Sequence, residues 1–204
     1  MKGLSKRSGG NEGSPDVDYR LGGNGHPDLD EIVGGETQDA NVLTFSFLLE
    51  TDATLFFNFV FASEEYIDYV GQDYNDSFAF FLNGQNIALI EGVPVGVDTV
   101  NPNINGEYYV NNIQNDSGFP NANLNIRFDG LTRVLQVRQE LTAGTHQISL
   151  MIADTLDDAF DSAVFIQAGT FSTTSTPTEV PEPGSFAFAA LGLGALAYLK
   201  KACG

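Results

Sequence analysis

The chain has 204 residues, enough for one ordinary domain with extensions, and a formal charge of −18. Between Leu21 and Glu182, 24 acidic residues face only three arginines (Arg127, Arg133 and Arg138), a local balance of −21 that repels phosphate backbones and excludes nucleic acid as a partner. A single cysteine, Cys203, excludes an internal disulfide or a cysteine-based zinc cluster, and His26 and His146 both lie in turn-like surroundings that suit exposed structural histidines better than catalytic ones.

Residues 1–20 are Gly, Ser and charge, and read as a disordered leader without the apolar stretch of a secretory signal. Period-two alternation begins at Leu43, Phe45, Phe47 and Leu49 and strengthens in Leu55, Phe57, Phe59 and Phe61, each set lining one face of a strand. Further strands are predicted over 78–82, 87–90, 108–110, 124–128, 131–137, 147–152 and 162–170, divided by turn clusters such as Asn83-Gly84, Asp129-Gly130 and Ala143-Gly144. No segment ahead of residue 184 has a convincing amphipathic helical pattern. About nine short strands with short turns predict an all-β fold over 21–171, an antiparallel β-sandwich of jelly-roll-like form. Leu55, Phe57, Phe59 and Phe61 are expected to be buried together, and the sixteen phenylalanines serve as core filler rather than a cofactor box.

After residue 171 a Ser/Thr-rich stretch, 172–179, reads as a flexible linker. Val180-Pro181-Glu182-Pro183 follows, then an apolar run from Ser185 to Leu199 and the pair Lys200-Lys201. At about 1.5 Å per residue the run spans roughly 22 Å, short of a hydrocarbon core of about 30 Å. It has no polar face, however, and the lysine pair closes it as cytoplasmic residues close a span. It is therefore predicted to form a single membrane helix with Lys200 and Lys201 inside and the β domain outside.

The acidic residues have two readings. Glu64 and Glu65 are adjacent at a strand end, so in extended backbone they face opposite ways and do not by themselves make the roughly 5 Å pair of a retaining glycosidase; no catalytic residue is assigned. The segment Asp154 to Asp161 holds four aspartates, a supply of oxygen ligands for calcium or, equally, a set of solvated Asx-turns. It lacks the glycine and terminal glutamate of an EF-hand. Asp73, Asn75 and Asp76 share that ambiguity, as do Asp28 and Asp30. Tyr66, Tyr69 and Tyr74 beside these acids suggest a platform for a sugar ring.

Two segments carry resemblances. Val180-Pro181-Glu182-Pro183, the Gly/Ala/Leu-rich span and the terminal lysines resemble the PEP-CTERM sorting tail of Gram-negative bacteria, which implies an inner-membrane stage and processing by an exosortase near the Pro-Glu-Pro. Phe59-Val60-Phe61-Ala62-Ser63-Glu64-Glu65-Tyr66, Tyr74 to Leu82, Asn86 to Ile90, Ile152-Ala153-Asp154 and Asp161-Ser162-Ala163-Val164-Phe165 together resemble the choice-of-anchor L domain, over 22–171. That resemblance implies an extracellular location and motifs that converge at one end of the sandwich, where Glu65, Asp76, Asp154 and Asp161 are the expected calcium ligands. The function these readings imply is an exported surface or matrix protein, adhesive or structural, associated with extracellular polysaccharide. The alternative is a calcium-dependent carbohydrate-binding module or a glycoside hydrolase.

Overall fold

The computed structural model describes residues 23–72, 76–113, 122, 124–155 and 162–175. In chain order these hold α1 (Pro27–Val33), β1 (Thr37–Leu49), β2 (Ala53–Ser63), β3 (Ser77–Leu82), β4 (Gln85–Asn86), β5 (Leu89–Ile90), β6 (Val93–Pro94), β7 (Tyr109–Asn111), β8 (Gly130–Thr132), β9 (Leu135–Leu141), β10 (Gly144–Thr155) and β11 (Ser162–Ile166). Every strand pair is antiparallel. One sheet runs β1-β10-β3-β4 and a second β11-β2-β8-β7, with β9 also paired to β2; β5 and β6 form a separate hairpin.

The alternating apolar residues of β2 explain how the two large sheets meet. Leu55, Phe57, Phe59 and Phe61 are all buried, as expected, and share one core with Phe78, Phe80 and Leu82 of β3, Ile148 of β10 and Leu135 and Val137 of β9. Phe57 meets Phe80 edge-on at 5.1 Å, Phe59 meets Phe80 at 4.9 Å, and Phe61 stacks on Phe78 at 5.0 Å. Each such side chain contributes about 1.5–3 kcal/mol by leaving water, and the ring geometry adds to that. The outer face of the first sheet is covered differently: α1 lays Leu29 on Ala79, Met151 and Ala153.

That helix was not expected. Its signals are local: His26 caps its start by accepting from the Asp28 N–H at 3.2 Å, Pro27 opens the first turn, and Gly34 closes it at φ 70°. Seven residues are too few for helical periodicity to register. The expected strand over 124–128 is also absent, because the Asn112 side chain takes the place of a ladder partner. It accepts from the Leu124 N–H at 2.7 Å and donates to the Phe128 carbonyl at 2.9 Å. The run 131–137 is divided because its halves meet different parts of β2: Leu131 pairs with Ala62, and Leu135 with Phe59.

Asn83-Gly84 makes the two-residue hairpin turn it predicts, with φ of 51° and 84° between Leu82 and Gln85. Asp129-Gly130 does not turn: Gly130 is the first residue of β8, and a Cβ there would lie 2.6 Å from the Tyr66 ring. His146 is buried rather than exposed, with Nδ1 at 2.8 Å from the Asn83 amide and Nε2 at 2.9 Å from the Thr142 carbonyl. The fold continues one residue into the stretch read as linker, where Phe56 and Ser172 exchange backbone hydrogen bonds of 2.8 and 3.0 Å. Just before it, the ring of Phe171 touches Phe45 and Phe47 of β1 and stacks on Phe57 of β2.

Among the described residues no helix is long and apolar enough to cross a membrane. The sorting motif Val180, Pro181, Glu182 and Pro183, the apolar run 185–199 and Lys200 and Lys201 lie outside the described residues, as does the leader 1–20.

Candidate functional site

The acidic motifs gather where β2 and β11 of one sheet end against β3 and β10 of the other. In register, Ser77 pairs with Ala153, so the next step sets Asp76 opposite Asp154, both on the face that points into the core. On the facing sheet Ser63 pairs with Ser162, and the chain leaves β2 through Glu64 and Glu65. Glu65 and Asp76 are both fully buried, and the Asp76 N–H donates to Glu65 Oε2 at 3.2 Å. Ser162 Oγ donates to Asp76 Oδ2 at 2.6 Å, a hydrogen bond that ties the two layers together at this end. Ser63 Oγ accepts from the Glu65 N–H at 3.0 Å, which fixes the turn out of β2.

Burial is the main force on Asp76. It raises the carboxyl well above its ordinary value of 3.8, and the nearby charges of Glu65 and Asp154 push it the same way; hydrogen bonds from Ser162 and the Thr155 N–H oppose this without reversing it. Asp76 Oδ1 is buried with no hydrogen-bond partner among the described residues. An orphaned carboxylate oxygen in the interior costs on the order of 1–3 kcal/mol or more unless it is protonated or meets a cation.

Of the four expected metal ligands, the structure thus brings Glu65, Asp76 and Asp154 to one place, while Asp161 lies outside the described residues, with Asp157 and Asp158. Among the described residues no group of three or more histidine, cysteine, aspartate or glutamate side chains closes to metal-holding geometry. Asp73 and Asn75 are likewise outside them. Asp30 is committed elsewhere: it accepts from the Thr37 N–H at 2.8 Å and hydroxyl at 2.6 Å, bonds that hold its pKa below the ordinary value.

Glu64 is also buried and pairs with Arg127 Nε at 3.3 Å, the arginine remaining half in water. The idea of a tyrosine platform does not survive for Tyr66. Its ring is fully buried against Phe61 and Tyr109, and burial, then the charges of Tyr109, Glu65 and Asp98, push its hydroxyl well above the usual phenol range. Tyr69 is partly exposed, and Tyr74 lies outside the described residues. Sequence reasoning overlooked Ser162 and Ser63, whose hydroxyls organise the acidic end. The available signal was their position, each at the mouth of a strand beside an acid.

A family model described as the choice-of-anchor L domain matches residues 3–172. No curated protein and no solved structure matches the chain.

Proposed function

Because the chain belongs to the choice-of-anchor L domain family, we propose that it is an exported bacterial protein of the cell surface or extracellular matrix, adhesive or structural in role and associated with exopolysaccharide. The observation that carries this reading is the reach of the family match, which takes in the whole described β domain and its acidic end. A surface-anchor domain needs a stable body and a means of attachment, not a catalytic centre, and no catalytic residue is assigned. In this reading the tail supplies the attachment: residues 185–199 enter the inner membrane as one helix, Lys200 and Lys201 stay inside, and an exosortase-type enzyme cuts near Val180-Pro181-Glu182-Pro183. Replacing Pro181, Glu182 and Pro183 with alanine should leave insertion intact and block maturation. Mass spectrometry of the protein from its host decides: a mature form that still ends at Gly204 refutes the sorting role.

A second reading, a calcium-dependent carbohydrate-binding module, is favoured by the orphaned Asp76 Oδ1 beside Glu65 and Asp154. A divalent cation would relieve both the burial of charge and the repulsion between the acids, with Asp161 as a further oxygen ligand. Calcium at about 100 times its Kd would then stabilise the fold by about 2.7 kcal/mol. Thermal melting in calcium and in chelator tests this, and an unchanged midpoint at millimolar calcium rejects it. Glycan-array binding with and without calcium separates the module from the purely structural protein.

A further inference from the structure

The outer face of the second sheet differs in charge from the rest of the domain. Residues 53–63, the whole of β2, and 162–172, which include β11, hold no charged side chain, and the two charges of β9, Arg138 and Glu140, pair with each other at 3.0 Å. In a body with a balance of −21, the strip formed by β9, β2 and β11 is neutral. The odd-numbered residues of β2 fill the core, so its even-numbered ones, Phe56, Asn58 and Val60, point outward. Phe165 pairs with Val60 and shares that face, where it is 47% exposed. Phe128 meets its ring edge-on, with centroids 6.0 Å apart and planes at 77°.

A row of carboxamides runs beside that ring. Asn58 is the register partner of Gln136 on β9, and the Gln167 N–H donates to the Asn58 carbonyl at 2.9 Å, so the three side chains stand in line across neighbouring segments. Gln136 Nε2 donates to Asn58 Oδ1, and Asn58 Nδ2 donates to Gln167 Oε1, each at 2.9 Å. The chain itself closes the β9 end of the row, where Ser175 Oγ donates to Gln136 Oε1 at 3.4 Å. The other end is open: Gln167 is exposed, and among the described residues no group accepts from its Nε2. Asn58 is fully buried, so its grip on Gln167 Oε1 turns the two Nε2 donors toward water in a fixed direction. Gln167 lies two residues beyond Phe165, about 7 Å along the strand direction, a distance that a pyranose with its hydroxyls spans.

We propose that Phe165 and Gln167 form a subsite for a neutral pyranose unit of a polysaccharide, the Phe165 ring stacking on the C–H face of the sugar and Gln167 Nε2 donating to its hydroxyls. This subsite rests on the exopolysaccharide association put forward above and gives it a place and a charge class. The C–H face of a pyranose is slightly positive and meets the negative face of an aromatic ring favourably, while an amide already oriented loses little freedom on binding. The acids that surround the strip repel uronates and sulfated sugars, so the ligand is neutral. A second copy of the chain is the competing occupant. One exposed ring with an amide beside it is small against the roughly 800 Å2 per partner that a stable interface buries, and two chains of charge −18 repel each other.

Affinity electrophoresis of the full chain, in gels holding a neutral β-glucan, a galactomannan or dextran and in gels holding alginate, tests the subsite. Retardation in at least one neutral gel and none in alginate is expected, with or without chelator, because no cation takes part. Phe165→Ala should weaken binding about tenfold or more and Gln167→Ala about threefold or more. Leu43→Ser, at an apolar residue 58% exposed on the other sheet, should leave it unchanged. Both subsite positions are exposed, so the variants should keep a urea midpoint close to that of the parent. Neutral-glycan binding that Phe165→Ala retains, that chelator abolishes or that Leu43→Ser loses equally overturns the subsite and leaves the exopolysaccharide association standing. Retardation by alginate alone overturns it too, as does a dimer in sedimentation that Phe165→Ala dissolves. If the parent is retarded in no neutral gel the subsite is wrong, and co-sedimentation with exopolysaccharide from the host decides whether the association falls with it.

Discussion

Gly130→Ala gives a sharp test of how the acidic end is supported. Gly130 opens β8 with no positive φ, so the backbone itself would accept alanine, and the loss of unfolded-state freedom alone would favour the variant by about 0.4–1 kcal/mol. Against this stands the added methyl. Its carbon would lie 2.6 Å from two atoms of the Tyr66 ring and 2.8 Å from Tyr109 Cε2, against ordinary contacts of 3.4–4 Å, so each ring would have to retreat by most of an ångström. Neither has room, because Tyr66 is fully buried and its centroid is only 5.1 Å from that of Tyr109. Overpacking of this kind costs about 1–3 kcal/mol, which exceeds the entropic gain. Taking the middle of each range, the net expectation is a loss of about 1.3 kcal/mol, read as a lower urea midpoint at constant m. Tyr66 follows Glu65 directly, so the displaced ring should also disturb the carboxylate cluster, and Tyr109→Leu, which removes one of the two rings, should recover part of the loss. A Gly130→Ala protein as stable as the parent or more so would show that the Tyr66 packing argued here is wrong.

Three other outcomes follow from the same geometry. Asp76 holds its proton more tightly in the folded chain than in the unfolded one, so its contribution to stability is complete below the ordinary value of 3.8 and is lost as pH rises through the raised pKa. Urea unfolding from pH 4 upward should therefore show a decline that Asp76→Asn flattens, and an unchanged slope in the variant would remove Asp76 from the account. Phe59→Ala, at a ring that meets Phe57, Phe78 and Phe80 between the layers, should cost about 3–5 kcal/mol, whereas Phe165→Ala at a 47% exposed position should cost far less; similar losses by equilibrium denaturation would contradict the placement of the core. His146→Ala should destabilise by about 1–3 kcal/mol, because it removes two hydrogen bonds of a buried ring, to Asn83 and Thr142, each contributing about 0.5–1.5 kcal/mol, and a neutral effect would mean that these bonds add nothing over water.

The antiparallel character of the fold was legible in the short turns between strands with no helices to cross over, and the burial of the β2 stripe in period-two alternation; both signals are local. Leu55, Phe57, Phe59 and Phe61 needed no knowledge of their partners to be placed inside. What was not legible depended on distant groups. The segment 124–128 alternates as a strand would, yet a side-chain amide twelve residues earlier captures its backbone. Asp129-Gly130 has turn composition, but its glycine is required by the Tyr66 ring rather than by a turn. His146 looked exposed because it follows Ala143-Gly144, while strand pairing across Asn83 buries it. At the acidic end the residue types pointed to Glu65 and Asp76. The pairing of Ser77 with Ala153 and of Ser63 with Ser162, which sets those acids against Asp154 and Ser162, is long-range register that no local pattern encodes.

The clasp at Phe171 and Ser172 determines how the domain would respond to being pulled. Tension on the chain downstream of Ser175 enters the fold at the hydrogen bonds between Ser172 and Phe56, backed by a ring seated on Phe45 and Phe47 of one layer and Phe57 of the other. A tether leaving from a single edge strand would peel that strand away one bond at a time. Here the outermost bonds join Ser172 to β2 alone, and the ring of Phe171 directly behind them carries the load to β1 as well, through the aromatic stack that closes that part of the core. A domain pulled from its C-terminal side would then give way first at the Ser172–Phe56 bonds, with the ring of Phe171 as the next point of resistance.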